Sequence, residues 1–511
     1  MPVAGRRTKI LFLPVIRGNY DPDPTRRACA AVRAAADELD VDGIFPRREV
    51  GSGGLISTDD HVRDYWRQWR GELAEVRALV ALSSDFMRER AVQDTVRLLP
   101  RDVPVFLMVN NDDPGPDAEW AGDSLCGSLS VHHNLRMLGR RLAGSCRINM
   151  NDPDRLGRFL GRFARIAAGI EKLRNMRIAT LGVNPEPFAT TFANQPALFE
   201  AGLSLHPYEL ITMWGDTVLA AQTSGEVQSY EGPFGRVDLW RPIAGDDGRL
   251  EAVKAEIREV IPTLPGEAKV DTIARCFLWV RQVFEQDGID AGAVHCWPEF
   301  RRFFGMAPCA WAMLSNALLR KPVVCEQDVC HAAAAALAWP MTGEAGVILD
   351  INNNGWDPRV FNVFHCSQTP PNWLAEPPAV SDYGSVSAPI EPTPFTAVSA
   401  ATDSEAFRAT VFQGRFLREP APERGSSGWA FVPNLQPVLR AVEAAGIHHF
   451  VALKGHLGPD VAEALSFRGL EVEDLSREVP GPDEVELADR REAPAYQVFS
   501  EQPRCPAMRG G

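Results

Sequence analysis

The sequence predicts an α/β protein in which parallel sheets come first and antiparallel strands follow. Three observations predict it. Apolar strand-like runs alternate with helical patterns up to about residue 350, the spacing of βαβ units and therefore of parallel sheet. The alternation restarts near Lys172, which marks a second α/β unit. Beyond a stretch rich in Pro, Ser and Ala at 372–394, strand-like runs follow one another as in an antiparallel sheet. A chain of 511 residues is too long for one hydrophobic core. At about 100–200 residues per domain it makes roughly three. The boundaries fall at 1–171, 172–350 and 351–511, with the candidate chemistry in the second and third.

In the first unit, residues 9–16 (KILFLPVI) form an apolar strand that ends in the polar loop RGNYDPDP. An Ala-rich helix at 25–39, a short strand at 41–45, an amphipathic helix at 60–73 and a strand at 76–82 follow. A helix at 85–98 and a strand at 103–109 complete the alternation. The loop after the first strand lies at the carboxyl edge of the sheet, the usual ligand side. The glycine-rich GSGGL at 51–55 does not match GxGxxG and reads as a surface loop. His132 and His133 are adjacent on a helical pattern, so they do not share a face.

The second unit places strands at 176–183 and 203–207 around a helix at 187–201. Helical patterns cover 210–221, 250–261 and 268–286. Residues 291–297 are strand-like and end in HCWPEF; a helix at 308–319 precedes a short strand at 323–325, which delivers Glu326. A helix at 331–337 and a strand at 347–349 deliver Asp350. The stretch at 372–394 reads as a linker or a long irregular crossing. Strands at 395–400, 409–417 and 430–433 follow, then a helix at 435–445, a strand at 449–453 and a helix running to Phe467. From Gly481 onward the chain is charged and Pro-rich and reads as loosely packed.

Bulk properties narrow the function classes. A net charge of −14 lacks the basic footprint of a nucleic-acid binder. No run of about 18 apolar residues is present, so a membrane-spanning helix is not expected. The N-terminal MPVAGRRTKILFLPVI lacks a small-residue cleavage site and reads as a first strand rather than a signal peptide. None of the ten cysteines forms CxxC, and most lie in apolar runs. Reduced, buried thiols and a cytoplasmic location are expected.

The candidate chemistry gathers in VVCEQDVC, VILDINNN, VFNVFHCS and IHHFVALKGHLGPD. Glu326, Asp350 and His365 end or follow apolar runs, where α/β proteins commonly place chemistry. Two carboxylates and an imidazole suit a divalent ion such as Mn²⁺, Mg²⁺ or Co²⁺. Beside a polarised carbonyl, a carboxylate can abstract the adjacent carbon-bound proton. Each residue also has a plainer reading. Glu326 fits a helix N-cap, Asp350 an Asx turn, and His365 a satisfied buried histidine. His448 and His449 on a strand point to opposite faces, so at most one is a ligand. His456 fits a cap or a phosphate or hydroxyl contact.

Taken together, HCWPEF, PCA, CEQDV, LDINN, FHCS and HHFVALKGHLGPDV over about residues 291–468 resemble the L-fucose/L-arabinose isomerase superfamily of metal-dependent aldose–ketose isomerases. The resemblance implies two Rossmann-like parallel-sheet domains followed by a C-terminal antiparallel β-barrel-like domain. It also implies Glu326 and Asp350 as metal ligands and acid/base residues, and His449 as the ligand histidine. His365 becomes a fourth ligand or a substrate contact, with His456 a further substrate contact and Trp297 and Glu299 pocket walls. Mn²⁺ is the implied metal and no organic cofactor is implied. Trimers or hexamers are implied, in which a neighbour's N-terminal domain closes the site; Arg17, Asn19 and Asp21 are then candidates to reach a neighbour's sugar. Leu13 stands where the fucose type carries an arginine, and which sugar, pentose or deoxyhexose, stays open. An epimerase or lyase on the same scaffold, or a non-catalytic sugar-binding protein, are the alternatives.

Overall fold

The structure, a computed structural model, describes residues 8–110, 122–222, 229–232, 235–243, 248–366, 368–421 and 425–476. The charged tail expected from Gly481 onward lies outside them. The chain divides into two compact units, residues 1–174 with 460–470, and 175–459 with 471 onward.

The first unit is built on a five-stranded parallel sheet of β1 (Lys9–Pro14), β2 (Asp42–Ile44), β3 (Ala78–Ser83), β4 (Val105–Asn110) and β5 (Leu142–Ile148), in the order β2-β1-β3-β4-β5. β1, β3 and β4 read as near-continuous apolar runs, as strands covered on both faces of a parallel sheet do; all six residues of β3 are buried. The 21-residue helix Pro153–Leu173 buries Leu156, Leu160, Phe163, Ile166 and Ile170 at helical spacing. Its Arg162 and Arg165 hold the buried Asp460 at 2.6 and 2.9 Å, which ties residues 460–470 into this unit.

The second unit contains a four-stranded parallel sheet and a barrel. The sheet comprises β6 (Met176–Leu181), β7 (Leu203–Tyr208), β10 (Ala291–Val294) and β11 (Val323–Val324), in the order β11-β10-β6-β7; β8 (Ser229–Gly232) and β9 (Gly235–Asp238) form a separate hairpin. The barrel draws on β12 (Val347–Asn354), β13 (Val360–His365), β16 (Pro394–Thr402), β17 (Phe407–Phe416), β18 (Ser426–Phe431) and β19 (His449–Lys454). Its ring runs β18-β13-β12-β19-β16-β17, and the β17–β18 pairing at Arg415↔Phe431 closes it into six antiparallel strands. Leu349, Phe361, Val363, Phe395, Phe412 and Phe450 fill the interior. Short strands β14 (Ala379–Val380), β15 (Val386–Pro389) and β20 (Glu471–Asp474) extend its edges.

Two expectations change in detail. The 372–394 stretch is a packed crossing and not a free linker: Trp373 is fully buried and its indole N–H donates to Ala345 O at 2.6 Å. The helix expected at 187–201 is a short 3-10 turn at Ala189–Thr191 and a helix at Gln195–Glu200, because Pro196 sits in the first turn of the latter. Residue 350 lies inside β12; the four-stranded sheet and the barrel fall in the same compact unit.

The helix Val329–Ala336 joins these two sheets. All eight of its residues are buried, and it packs on β10, β16 and β19. Its five alanines let strands approach closely on both sides, which a helix of larger side chains would prevent.

Candidate metal centre

Alternation along β12 and β19 sets the first two groups. Leu349 and Phe450 belong to the barrel core. Their neighbours Asp350 and His449 therefore point away from that core, because successive strand residues face opposite sides. The two are direct partners across the antiparallel pair, so they face the same way. His449 Nε2 lies 3.2 Å from Asp350 Oδ1.

Glu326 arrives from the other sheet, on the turn between β11 and the helix Val329–Ala336. Glu326 and Gln327 both take left-handed backbone conformations, at φ 61° and 57°. Such residues cost about 1–3 kcal/mol each and persist where the surroundings hold them. Here Thr191 Oγ1 donates to Glu326 O at 2.9 Å, Gln327 Nε2 to Gly182 O at 2.9 Å, and Gln327 N to Val294 O at 3.1 Å. Glu326 Oε2 is thereby set 3.4 Å from His449 Nε2. Glu326 is not a helix N-cap: Asp328 is, accepting from His331 N at 3.0 Å.

Asp328 also orients His449. Its Oδ2 lies 2.8 Å from His449 Nδ1 and 2.7 Å from His331 Nδ1. A carboxylate on Nδ1 fixes that nitrogen as the donor and leaves Nε2 as the nitrogen that would take a cation once its proton is displaced. His331 Nε2 in turn accepts from Ala400 N at 3.2 Å, which pins the helix to β16. His449 is the member shared by three close groupings: Glu326, His365 and His449; Asp350, His448 and His449; and Asp328, His331 and His449.

Glu326 Oε2, His449 Nε2 and His365 Nε2 are all buried without a hydrogen-bond partner. Buried polar atoms are normally paired, and three orphans converging on one point fit a cation that the side chains would share. Carboxylate oxygens with imidazole nitrogens suit Mn²⁺ and its neighbours in the first transition row.

The electrostatics separate the two acids. Burial raises the Glu326 carboxyl above its usual range, and the nearby histidines offset only part of that. Burial also acts on Asp350, but the nearby imidazole of His449 and the charges of His365 and His448 outweigh it and hold the carboxyl low. Asp328, although buried, is held far below the usual carboxylate range by His331 and His449. His365 is driven the other way: burial disfavours its charge, but Cys366, Asp350 and Glu326 push its pKa up to about 9. His449 is likewise raised well above its ordinary value against burial, by Asp328 and then Asp350.

The remaining sequence candidates take separate places. His448 lies just before β19, its ring centroid 4.1 Å from that of His449, with Nε2 at 3.7 Å from Asp350. Opposite faces were expected for the pair; the strand starts one residue later, so strict alternation does not apply to His448. Trp297 is 43% exposed in the turn after β10, and Glu299 is half-buried there. His456 Nε2 donates to Gly414 O, 3.2 Å away, beyond the far end of β19 from His449. That strand spans roughly 17–20 Å, so His456 is not brought to the cluster. In the first unit, Arg17 lies over the Phe86 ring and 3.4 Å from Glu89, while Asn19 is exposed. Sequence reasoning missed Asp328, His331 and His295. His295 is buried at the end of β10 with both ring nitrogens unpartnered. The signal for the first two was an Asp three residues ahead of a His at a helix start. A cavity of about 510 Å³ lies elsewhere, lined by Ser399, Asp403, Arg408 and Ala441; none of the cluster residues lines it.

Two parallel sheets, a closed barrel and a buried carboxylate–imidazole cluster define an α/β protein whose cluster offers the donor types a divalent cation takes. Residues 12–174 match the family model described as the N-terminal domain of fucose/sulfoquinovose isomerase. Over that stretch the chain is similar to the fucose isomerase superfamily, which supports a sugar isomerase. A comparison with curated proteins returned no match.

Proposed function

We propose that this protein is a metal-dependent isomerase that interconverts an aldose and a ketose, a pentose or deoxyhexose, through an enediol. The observation that carries the proposal is the convergence of orphaned Glu326 Oε2, His449 Nε2 and His365 Nε2 beside Asp350. Glu326, Asp350 and His449 would hold the ion, Mn²⁺ by preference, with His365 as a fourth ligand or a sugar contact. The ion would polarise the sugar's carbonyl and hydroxyl oxygens and favour negative charge on them.

The chain's own groups move the protons. Asp350, held ionised, takes the proton from C2 and returns it to C1. Glu326, raised by burial, hands a proton to O1 and recovers one from O2. Acid and base roles assigned to two carboxylates whose environments push them apart follow a general pattern. Thr191, Gly182 and Val294 keep the Glu326 turn fixed, and Asp328 keeps His449 in one tautomer. The closed barrel and the all-buried helix Val329–Ala336 keep bulk water from one side of the cluster.

A homotrimer or homohexamer, with Arg17 and Asn19 of one copy reaching the sugar of another, and a cytoplasmic location belong to the same proposal. The free state of the nine described cysteines supports a reducing compartment. The test offers Mn²⁺-loaded protein a panel of L-fucose, L-arabinose, other pentoses and deoxyhexoses, and sulfoquinovose, and measures ketose. Ketose from at least one sugar, lost on chelation, is expected. No ketose from any sugar with metal bound would overturn it, and solvent deuterium entering a carbon without ketose would point to an epimerase.

A further inference from the structure

Beside the cation cluster lies a second group of soft donors. Cys309, Cys325 and Cys366 bring their sulfurs within 4.8 Å of one another. They come from three separate places: the first residue of the helix Cys309–Leu319, the residue after β11, and the residue after β13. Cys309 and Cys325 are fully buried, and all three are free thiols. A fourth sulfur is close: Cys296 Sγ accepts from Glu326 N at 3.4 Å. Apolar packing alone gives no reason for thiols from distant segments to meet, since alanine or valine would fill the space without a polarisable sulfur.

We propose that Cys309, Cys325 and Cys366 form a binding site for one thiophilic d¹⁰ cation, zinc in the cell, with Cys296 as the nearest fourth donor. Zinc–sulfur bonds of about 2.3 Å put tetrahedral sulfurs about 3.8 Å apart, so the trio closes on an ion with small shifts. Thiolates select such an ion over Mn²⁺ or Mg²⁺, which the carboxylate cluster would prefer. Binding releases the thiol protons to solvent and involves no electron transfer. The position gives the ion a structural role. Cys325 directly precedes Glu326 and Cys366 directly follows His365, so an ion gripping both sulfurs braces two residues of the neighbouring cluster. His365 Nδ1 lies 3.9 Å from Cys366 Sγ, on the ring edge away from the orphaned Nε2.

The test does not depend on the isomerase reading. Full-length protein, stripped with chelator and saturated with Mn²⁺ to fill the hard-donor site, is titrated with Cd²⁺ as an optical stand-in for zinc. A sulfur-to-cadmium charge-transfer band that saturates at one equivalent is expected, and Cys309→Ser should weaken Cd²⁺ and Zn²⁺ binding at least about 10-fold. No band, or an unchanged titration in Cys309→Ser, overturns the proposal. Should that variant not fold, thiol counting on the native wild type decides. Zinc should protect Cys309, Cys325 and Cys366 from a thiol reagent relative to the stripped protein, and equal reactivity in both states overturns the site.

Discussion

The Oδ2 of Asp328 lies 2.8 Å from Nδ1 of His449, and the same oxygen lies 2.7 Å from Nδ1 of His331. One buried carboxylate thus orients the imidazole that three close groupings share. Asp328→Asn keeps the shape and an amide oxygen for the helix cap but removes the charge that selects the tautomer. Its expected result is a loss of about 10–100-fold in Mn²⁺ affinity by calorimetry, the usual size for such supporting carboxylates. Unchanged affinity would mean that His449 is not a ligand.

Glu326 separates chemistry from stability. Its buried Oε2 has no partner, and burial raises its carboxyl, so the charged form is disfavoured where it stands. Glu326→Gln removes that cost and the proton-carrying group together. Turnover of whichever sugar is used should fall about 10²–10⁴-fold. The melting temperature of the metal-free protein should hold or rise, and the rise that Mn²⁺ gives the wild type should shrink. Near-normal turnover in this variant would refute the assignment of the site.

Much of this arrangement was legible before any coordinates, and the physical reason is local. Strand patterns placed Glu326, Asp350 and His449 at or beside strands, and those strands exist as β11, β12 and β19. The parallel alternation of the first 110 residues was equally readable, because β1, β3 and β4 are near-continuous apolar runs. Between 111 and 171 the sequence reading placed no strand or long helix: β5, LAGSCRI, is mostly small residues with one arginine and carries little hydrophobic signal. Asp328 was hidden because its role depends on two histidines, one 121 residues away in the chain. The paired left-handed conformations at Glu326 and Gln327 have no glycine to announce them. The thiol trio was invisible because its spacing is spread across three elements and only folding brings it together.

Binding of the cation should depend on pH in a defined direction. In the metal-free protein His365 holds its proton up to about pH 9, and His449 is also raised. A cation must displace those protons, so affinity should climb as pH rises toward 9 and level off above it. Calorimetry in buffers of different ionisation enthalpy should show protons released at pH 7.5; no release would exclude both imidazoles as ligands. The stability of the metal-free fold runs oppositely. A folded pKa above the unfolded value of about 6.5 contributes stability fully below that value and loses it as pH passes through about 9.

The barrel interior can be perturbed next to the site without touching its donors. Leu349 is fully buried in the aromatic core with Phe361, Phe395 and Phe450, on the face opposite Asp350. Leu349→Ala removes methyl groups that a closed six-stranded ring cannot collapse to refill, since each strand is held on both sides. A loss of about 2–5 kcal/mol is expected, read as a lower urea midpoint with unchanged slope. Mn²⁺ affinity of the folded variant should stay within a few-fold of wild type, because Asp350 and His449 are fixed by their own backbone pairing. A loss under about 1 kcal/mol would show that β12 does not pack as part of the barrel core. A collapse of metal binding with full stability would show that the core, and not the ladder, sets the donors' positions.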